Sequence, residues 1–221
     1  MESLDMLANN IANSGTIAFK ADREVNTLFR EELPLVERQW TDFTQGMLLP
    51  TGNALNLGLS GPGFFALNSP TGIVYTRSGD FQISKSNQLQ TADGYTLRNV
   101  LDQGKPIVVD PTQSIAIDKG GGVQQGGQIL GQIEILGVPT ASDTLSKLGK
   151  TYFALMDKGG PVVKVPETEV HQGALEQSNV PVGDSAVRLI AVMRQFEMLQ
   201  RALTLGAEMN KRAIDEVARV T

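Results

Sequence analysis

The sequence predicts a mainly β protein with terminal α-helices: a central all-β domain between an N-terminal helix and a long C-terminal helix of coiled-coil type. Three observations carry this. Apolar residues recur at steps of three and four near the N-terminus. Short apolar runs, punctuated by Gly, Asn, Asp and Ser, fill the middle. A proline-free heptad pattern closes the chain.

Leu4, Leu7, Ala8, Ile11 and Ala12 share one face of a short helix that Asn13-Ser14-Gly15 would stop. A weaker pattern through Val25, Leu28 and Phe29 predicts a second helix over Phe19 to Arg30, ended by Pro34. The boundaries expected are 1–33 for the N-terminal helical segment, 34–54 for an extended linker, 55–165 for the β domain, 166–182 for a second linker and 183–221 for the C-terminal helix.

Within the β domain, Leu55 to Leu59 alternates with period two, and strand-length runs follow at Phe64 to Leu67, Ile73 to Tyr75, Phe81 to Ile83, Ile107 to Val109 and Ile115 to Ile117. Further runs lie at Ile129 to Val138, Tyr152 to Met156 and Val162 to Val165. Asp93-Gly94 predicts a two-residue hairpin turn, whose central residues both need positive φ. Gly120-Gly121-Gly122 and Gly126-Gly127 read as loose connections.

Asp184 or Ser185 is the expected cap of the last helix. Along it Leu189, Val192, Phe196, Leu199, Leu203, Gly206, Asn210, Ala213, Val217 and Val220 alternate steps of three and four, the pattern of a coiled-coil seam. A second row, Ile190, Met193, Met198, Leu205 and Met209, widens it. At about 1.5 Å per residue this helix would run roughly 55 Å against about 20 Å for the opening helix, so most of the seam lacks a partner of matching length within the chain. Long apolar stripes of this kind mark association surfaces. Gly206 fits close approach of another backbone, because glycine within a helix costs about 1 kcal/mol relative to alanine. Asn210 on the seam would fix register.

The composition narrows the function classes. Apolar residues are 41% of the 221 but aromatics only 5%, which favours a Val, Ile and Leu core over an aromatic-lined pocket. The net charge of −5 comes from 24 acidic and 19 basic residues mixed along the chain, so no basic block is present to hold nucleic acid. Cysteine is absent, which removes disulfides, thiolate metal sites and a Cys nucleophile. No apolar stretch is long enough for a membrane-spanning helix, and Glu2, Asp5 and Asn9 interrupt what a signal peptide would need to keep apolar.

Candidate chemical sites all have plainer readings. His171, the only histidine, stands near Glu167 and Glu169 in a polar stretch, a weak ligand set that reads as solvated linker. No G-x-S-x-G elbow supplies a nucleophile. The stretch Gly120 to Gly127 lacks the Lys-Ser/Thr and following helix of a phosphate loop. Asp80, Asp93, Asp102 and Asp110 sit where turns place aspartate. Arg188, Arg194, Arg201, Lys211 and Arg212 interleave with Glu197, Glu208 and Glu216 as a solvated helix flank. The expectation is no catalytic residue, no cofactor, no metal and no small-molecule substrate.

Five motifs, in order, carry a resemblance. Leu4-Asp5-Met6-Leu7-Ala8-Asn9-Asn10-Ile11-Ala12-Asn13, with Phe19-Lys20 after it, is similar to L-D-x-x-[AS]-N-N-[IL]-A-N followed by G-[FY]-K. Gly61-Pro62-Gly63-Phe64-Phe65, Tyr75-Thr76-Arg77-Ser78-Gly79-Asp80-Phe81 and Leu89-Gln90-Thr91-Ala92-Asp93-Gly94-Tyr95 resemble G-x-G-F-F, Y-T-R-x-G-x-F and L-x-T-x-D-G-Y. Gly173-Ala174-Leu175-Glu176-Gln177-Ser178-Asn179-Val180 resembles G-x-L-E-x-S-N-V. These motifs resemble the flagellar rod and hook protein family, and the modest length points to a rod subunit. The run Arg194-Gln195-Phe196-Glu197-Met198 resembles the proximal-rod type more than the distal-rod type.

The resemblance implies terminal helices packed into an inner tube beneath an outer β layer, with Leu4, Leu7, Ile11, Leu189, Val192, Phe196, Leu199, Leu203, Gly206, Asn210, Ala213 and Val217 at subunit interfaces. Its implied partners are other copies of the chain, neighbouring rod and hook proteins and the flagellar type III export apparatus. The implied location is the basal-body rod outside the cytoplasm, in the periplasm where two membranes are present. Family members carry a longer stretch before the L-D motif, so a shortened or trimmed inner helix is also expected. The alternative reading is a carbohydrate-binding protein or hydrolase with a β domain and a dimerising C-terminal helix.

Overall fold

A computed structural model describes residues 2–27, 35–137, 144–156, 163–164 and 167–220, with backbone alone for 2, 25–27, 35–39, 163–164 and 213–220. It divides into two units, one of Met1–Ile11 with Pro181–Thr221 and one of Ala12–Val180.

Helix α1, Glu2–Ala12, ends where Asn13 begins a turn closed by the Thr16 N–H donating to the Asn13 carbonyl at 3.0 Å. Helix α2, Val182–Val220, runs 39 residues without a break. It starts ahead of the expected cap: Asp184 lies within its first turn, where a carboxylate meets the positive end of the helix dipole.

The second unit is built from short antiparallel pairs. Its largest sheet runs, by neighbour, Leu145–Leu148, Tyr152–Leu155, Gly72–Thr76, Phe64–Ser69, Thr96–Leu97, Leu89–Gln90 and Gln82–Ile83, with Ile135–Gly137 also paired to Phe64–Ser69. Phe64–Ser69 separates the two larger of three buried clusters, the third being Phe19, Ala21 and Val180. Side chains alternate across a strand, so Phe65 and Leu67 enter one cluster with Leu57, Phe81, Leu97 and Ile133. Phe64 and Ala66 enter the other with Tyr75, Leu145 and Phe153. In the second cluster the rings of Phe43, Phe64 and Phe153 meet edge to face at 5.1 to 5.7 Å, the arrangement that aligns ring edges with ring faces.

Strand pairing departs from several expectations. The helix expected over Phe19 to Arg30 is replaced by the strand Asp22–Thr27, which pairs with Leu35–Thr41; Leu28, Phe29 and Pro34 lie outside the described residues. The stretch 34–54 contains the strands Leu35–Thr41 and Leu48–Pro50, the latter paired with Ala174–Glu176. Glu169–Gln172, within the expected second linker, pairs with Leu57–Ser60. These strands are held by partners distant in sequence, which periodicity does not register. Val138, Val162, Val165 and Pro166 also fall outside the described residues.

The turns moved as well. Asp93-Gly94 does not form a two-residue hairpin: Gln90 pairs with Thr96, Gly94 has φ +86°, and Asp93 is not among the residues with positive φ. The loop closes instead through Thr91, whose hydroxyl accepts the Tyr95 N–H and whose carbonyl accepts the Gly94 N–H. Gly126-Gly127, read as a loose connection, is the tight hairpin, with φ of +57° and +80° between paired Gln125 and Gln128. Two successive positive φ values are what such a turn demands, and glycine supplies them without strain.

Candidate assembly surface and the buried ion cluster

Two features stand out, one in each unit. On α2 the expected seam is open. Phe196 is 48% exposed and Leu203 75%, with Leu199, Met198, Leu205 and Met209 exposed between and beyond them. Leu189 and Val192, nearer the start, are half-buried. A Cβ built on Gly206 would meet nothing within 4 Å, so no neighbour described within the chain accounts for this glycine. Asn210 is exposed; Ala213 and Val217 lie where only backbone is described. On α1, Leu7 is buried at 7% exposure, while Leu4 and Ile11 are half-buried.

The second feature lies where the two ends of the β unit meet. The Ala18 N–H donates to the Glu176 carbonyl at 2.8 Å and the Asn179 N–H to the Phe19 carbonyl at 3.3 Å, so residues 18–21 and 176–180 run side by side. Asn179 braces them: its side-chain oxygen accepts the Ala21 N–H at 2.8 Å, and its amide donates to the carbonyls of Asp42 and Thr44.

Under this brace sit three charged side chains. The Lys20 ammonium donates to Glu176 Oε1 at 2.6 Å and to the Thr44 carbonyl at 2.7 Å, and both charged side chains are fully buried. The Gly46 N–H donates to the same oxygen at 2.9 Å. Arg77 Nη1 stands 3.5 Å from Glu176 Oε2 and forms no hydrogen bond there, while Nη2 donates to the Gly61 carbonyl at 2.6 Å and the guanidinium lies over the Phe64 ring. One carboxylate thus serves two buried cations. Burial, outweighing the attraction of Glu176, lowers the Lys20 ammonium from its ordinary 10.5, and burial lowers Arg77 as well. The nearby Asp42 is engaged elsewhere, accepting from Arg23 Nε at 2.6 Å and the Thr44 N–H at 3.0 Å.

The weaker chemical candidates resolve into local structure. His171 Nε2 is 3.8 Å from Glu169 on a strand edge, and no group of three or more potential metal ligands occurs among the described residues. Asp110 accepts from Thr112 and Gln113, Asp102 pairs with Lys105, and Asp93 accepts the Tyr152 hydroxyl at 2.6 Å. None of the described helices is long and apolar enough to cross a membrane.

Several of the motif residues, Lys20, Arg77, Glu176 and Asn179 among them, tie the β unit together. Residues 58–125 match the D1 domain of the flagellar hook protein FlgE/F/G, and residues 171–216 match the C-terminal part of the flagellar basal-body rod FlgEFG proteins. The flagellar basal-body rod protein FlgF of Rhizobium meliloti is 31% identical over 88% of this chain and 83% of its own length. The chain belongs to the flagellar basal-body rod protein family. FlgF of Caulobacter vibrioides is 29% identical over 98% of the chain and 92% of its own length. FlgG of Bacillus subtilis is 26% identical over 93% of the chain and 89% of its own length.

This rod-family chain is therefore a structural subunit of the flagellar basal body, not an enzyme, and it serves motility by assembling with other rod and hook proteins. The relatives lend no support to a hydrolase or carbohydrate-binding reading. Sequence reasoning quoted Lys20, Arg77 and Glu176 only as letters of motifs. Nothing in their immediate sequence sets them apart: Arg77, for example, stands between Thr76 and Ser78.

Proposed function

We propose that the rod subunit polymerises helically through its terminal helices and so transmits torque from motor to hook. The observation that carries this reading is the open apolar row on α2, from Phe196 through Leu199 to Leu203. At about 1.5 Å per residue the helix extends some 58 Å, and a chain in water does not leave so long a stripe bare at working concentrations. Neighbouring copies, or rod and hook relatives, cover it by coiled-coil packing. The contact set is Leu189, Val192, Phe196, Leu199, Leu203, Gly206, Asn210, Ala213 and Val217 on α2, with Leu4, Leu7 and Ile11 on α1. Each such side chain fully buried contributes about 1.5–3 kcal/mol. The subunit is of the proximal-rod type, reaches the extracytoplasmic rod through the flagellar type III export apparatus, and lies in the periplasm where two membranes are present.

Leu203→Asp tests the interface. The charge would have to enter an apolar seam, so the variant is expected to be missing from purified basal bodies while its β unit keeps wild-type thermal unfolding. Normal incorporation of that variant overturns the reading.

A further inference from the structure

The charge count in the buried cluster has a consequence that assembly alone does not require. Lys20 and Arg77 are both buried, and Glu176 is the carboxylate that faces both of them. Lys20 belongs to the segment entering the β unit and Glu176 to the segment leaving it, while Arg77 stands inside the unit on the connection from Gly72–Thr76 to Gln82–Ile83. Removing a partner from a buried pair leaves an uncompensated charge, which is far more damaging than the pair is stabilising. Here the damage is unequal. Without Glu176, two buried cations face each other, and the remaining carboxylate that acts on Lys20 is Asp42, already engaged by Arg23 and the Thr44 N–H. Without Lys20, Glu176 keeps Arg77 and the remaining pair is neutral.

We propose that the Lys20–Glu176–Arg77 cluster is a one-way interlock: segment 18–21 stays docked only while Glu176 is seated, whereas segment 174–180 stays docked without Lys20. The backbone geometry supports the coupling, because the entering segment hydrogen-bonds to the leaving one at Ala18, Phe19 and Ala21. Segment 42–46 completes it: the Thr44 carbonyl accepts from Lys20 and the Gly46 N–H donates to Glu176. The entering segment therefore acquires its final position after the leaving segment has reached the β unit.

Hydrogen exchange on the full-length protein, read by mass spectrometry over peptides covering 18–22, 42–47 and 174–180, tests this. Glu176→Gln is expected to speed exchange in 18–22 and 42–47 by at least about tenfold, while Lys20→Met leaves 174–180 within about threefold of the parent. The double variant Lys20→Met/Glu176→Gln is expected to exchange more slowly in 42–47 than Glu176→Gln alone, although it has lost one more contact. If Glu176→Gln yields no folded protein, recovery of folded protein by the double variant supports the interlock, and failure of both contradicts it. Equal loosening of 174–180 in the two single variants, or a double variant worse than either, overturns the proposal.

Discussion

The carbonyl oxygen of Leu57 occupies the space that a side chain on Gly79 would need: a Cβ there would lie 1.6 Å from it. In the same place the Leu57 N–H donates to the Gly79 carbonyl at 2.9 Å, so two backbones are locked face to face. This contact holds the loop after Gly72–Thr76 against the start of Leu57–Ser60, and it fixes Arg77 on one side and buried Phe81 on the other.

Gly79→Ala is accordingly expected to destabilise the β unit by about 3 kcal/mol or more, because the clash is with backbone and no rotamer relieves it. Chemical denaturation of the two proteins checks this. Gly94→Ala provides the contrast: nothing lies within 4 Å of its Cβ, and only the strain of a φ of +86° opposes it, about 1 kcal/mol.

Asp42 gives a pH dependence of definite sign. Burial opposes its ionisation, but the backbone and hydroxyl of Thr44 and the guanidinium of Arg23 outweigh burial and hold the carboxyl below its ordinary 3.8. The folded state therefore releases this proton at lower pH than the unfolded chain does. The resulting stabilisation is fully present above 3.8 and is lost as pH falls through the depressed folded-state value. Asp42→Asn should lower stability at neutral pH and flatten the acid limb below that point. Parallel acid limbs in the two proteins would show that Asp42 does not contribute.

Gly206 separates what the lone helix needs from what an assembly needs. With nothing near its Cβ position, Gly206→Ala should stabilise α2 in the isolated chain by about 1 kcal/mol, read as increased helicity by circular dichroism. If a neighbouring backbone packs there in the rod, the same variant assembles less well. Increased helicity together with undiminished assembly would remove Gly206 from the interface.

How much of this was legible follows from which forces are local. The two helices could be read because a stripe at steps of three and four needs no knowledge of the partner, and α2 keeps its pattern from Leu189 to Leu203. The run Phe64 to Leu67 was visible for the converse reason: it is buried on both faces and apolar throughout. Asp22–Thr27 was not legible. Its residues are mostly polar, and residues 28–34 before its partner Leu35–Thr41 contain no Gly, Asn or Asp to signal a hairpin. The tight turn was assigned to Asp93-Gly94 rather than Gly126-Gly127 because both satisfy the same residue preference, and the pairing on either side decides between them. The ion cluster was the deepest omission. Lys20 and Glu176 are 156 positions apart, and a charged residue in a single sequence carries no mark of being buried.

The central claim is that α2 is buried between subunits in the rod, and the absence of cysteine from the chain makes it directly measurable. Single cysteines introduced as Leu203→Cys, on the seam, and Ile129→Cys, exposed on the β unit, would be offered a water-soluble maleimide in the isolated chain and in purified basal bodies. The prediction is that both label in the isolated chain, and that in basal bodies Leu203→Cys becomes protected while its β unit remains folded. Full labelling of Leu203→Cys within assembled rods would contradict the account.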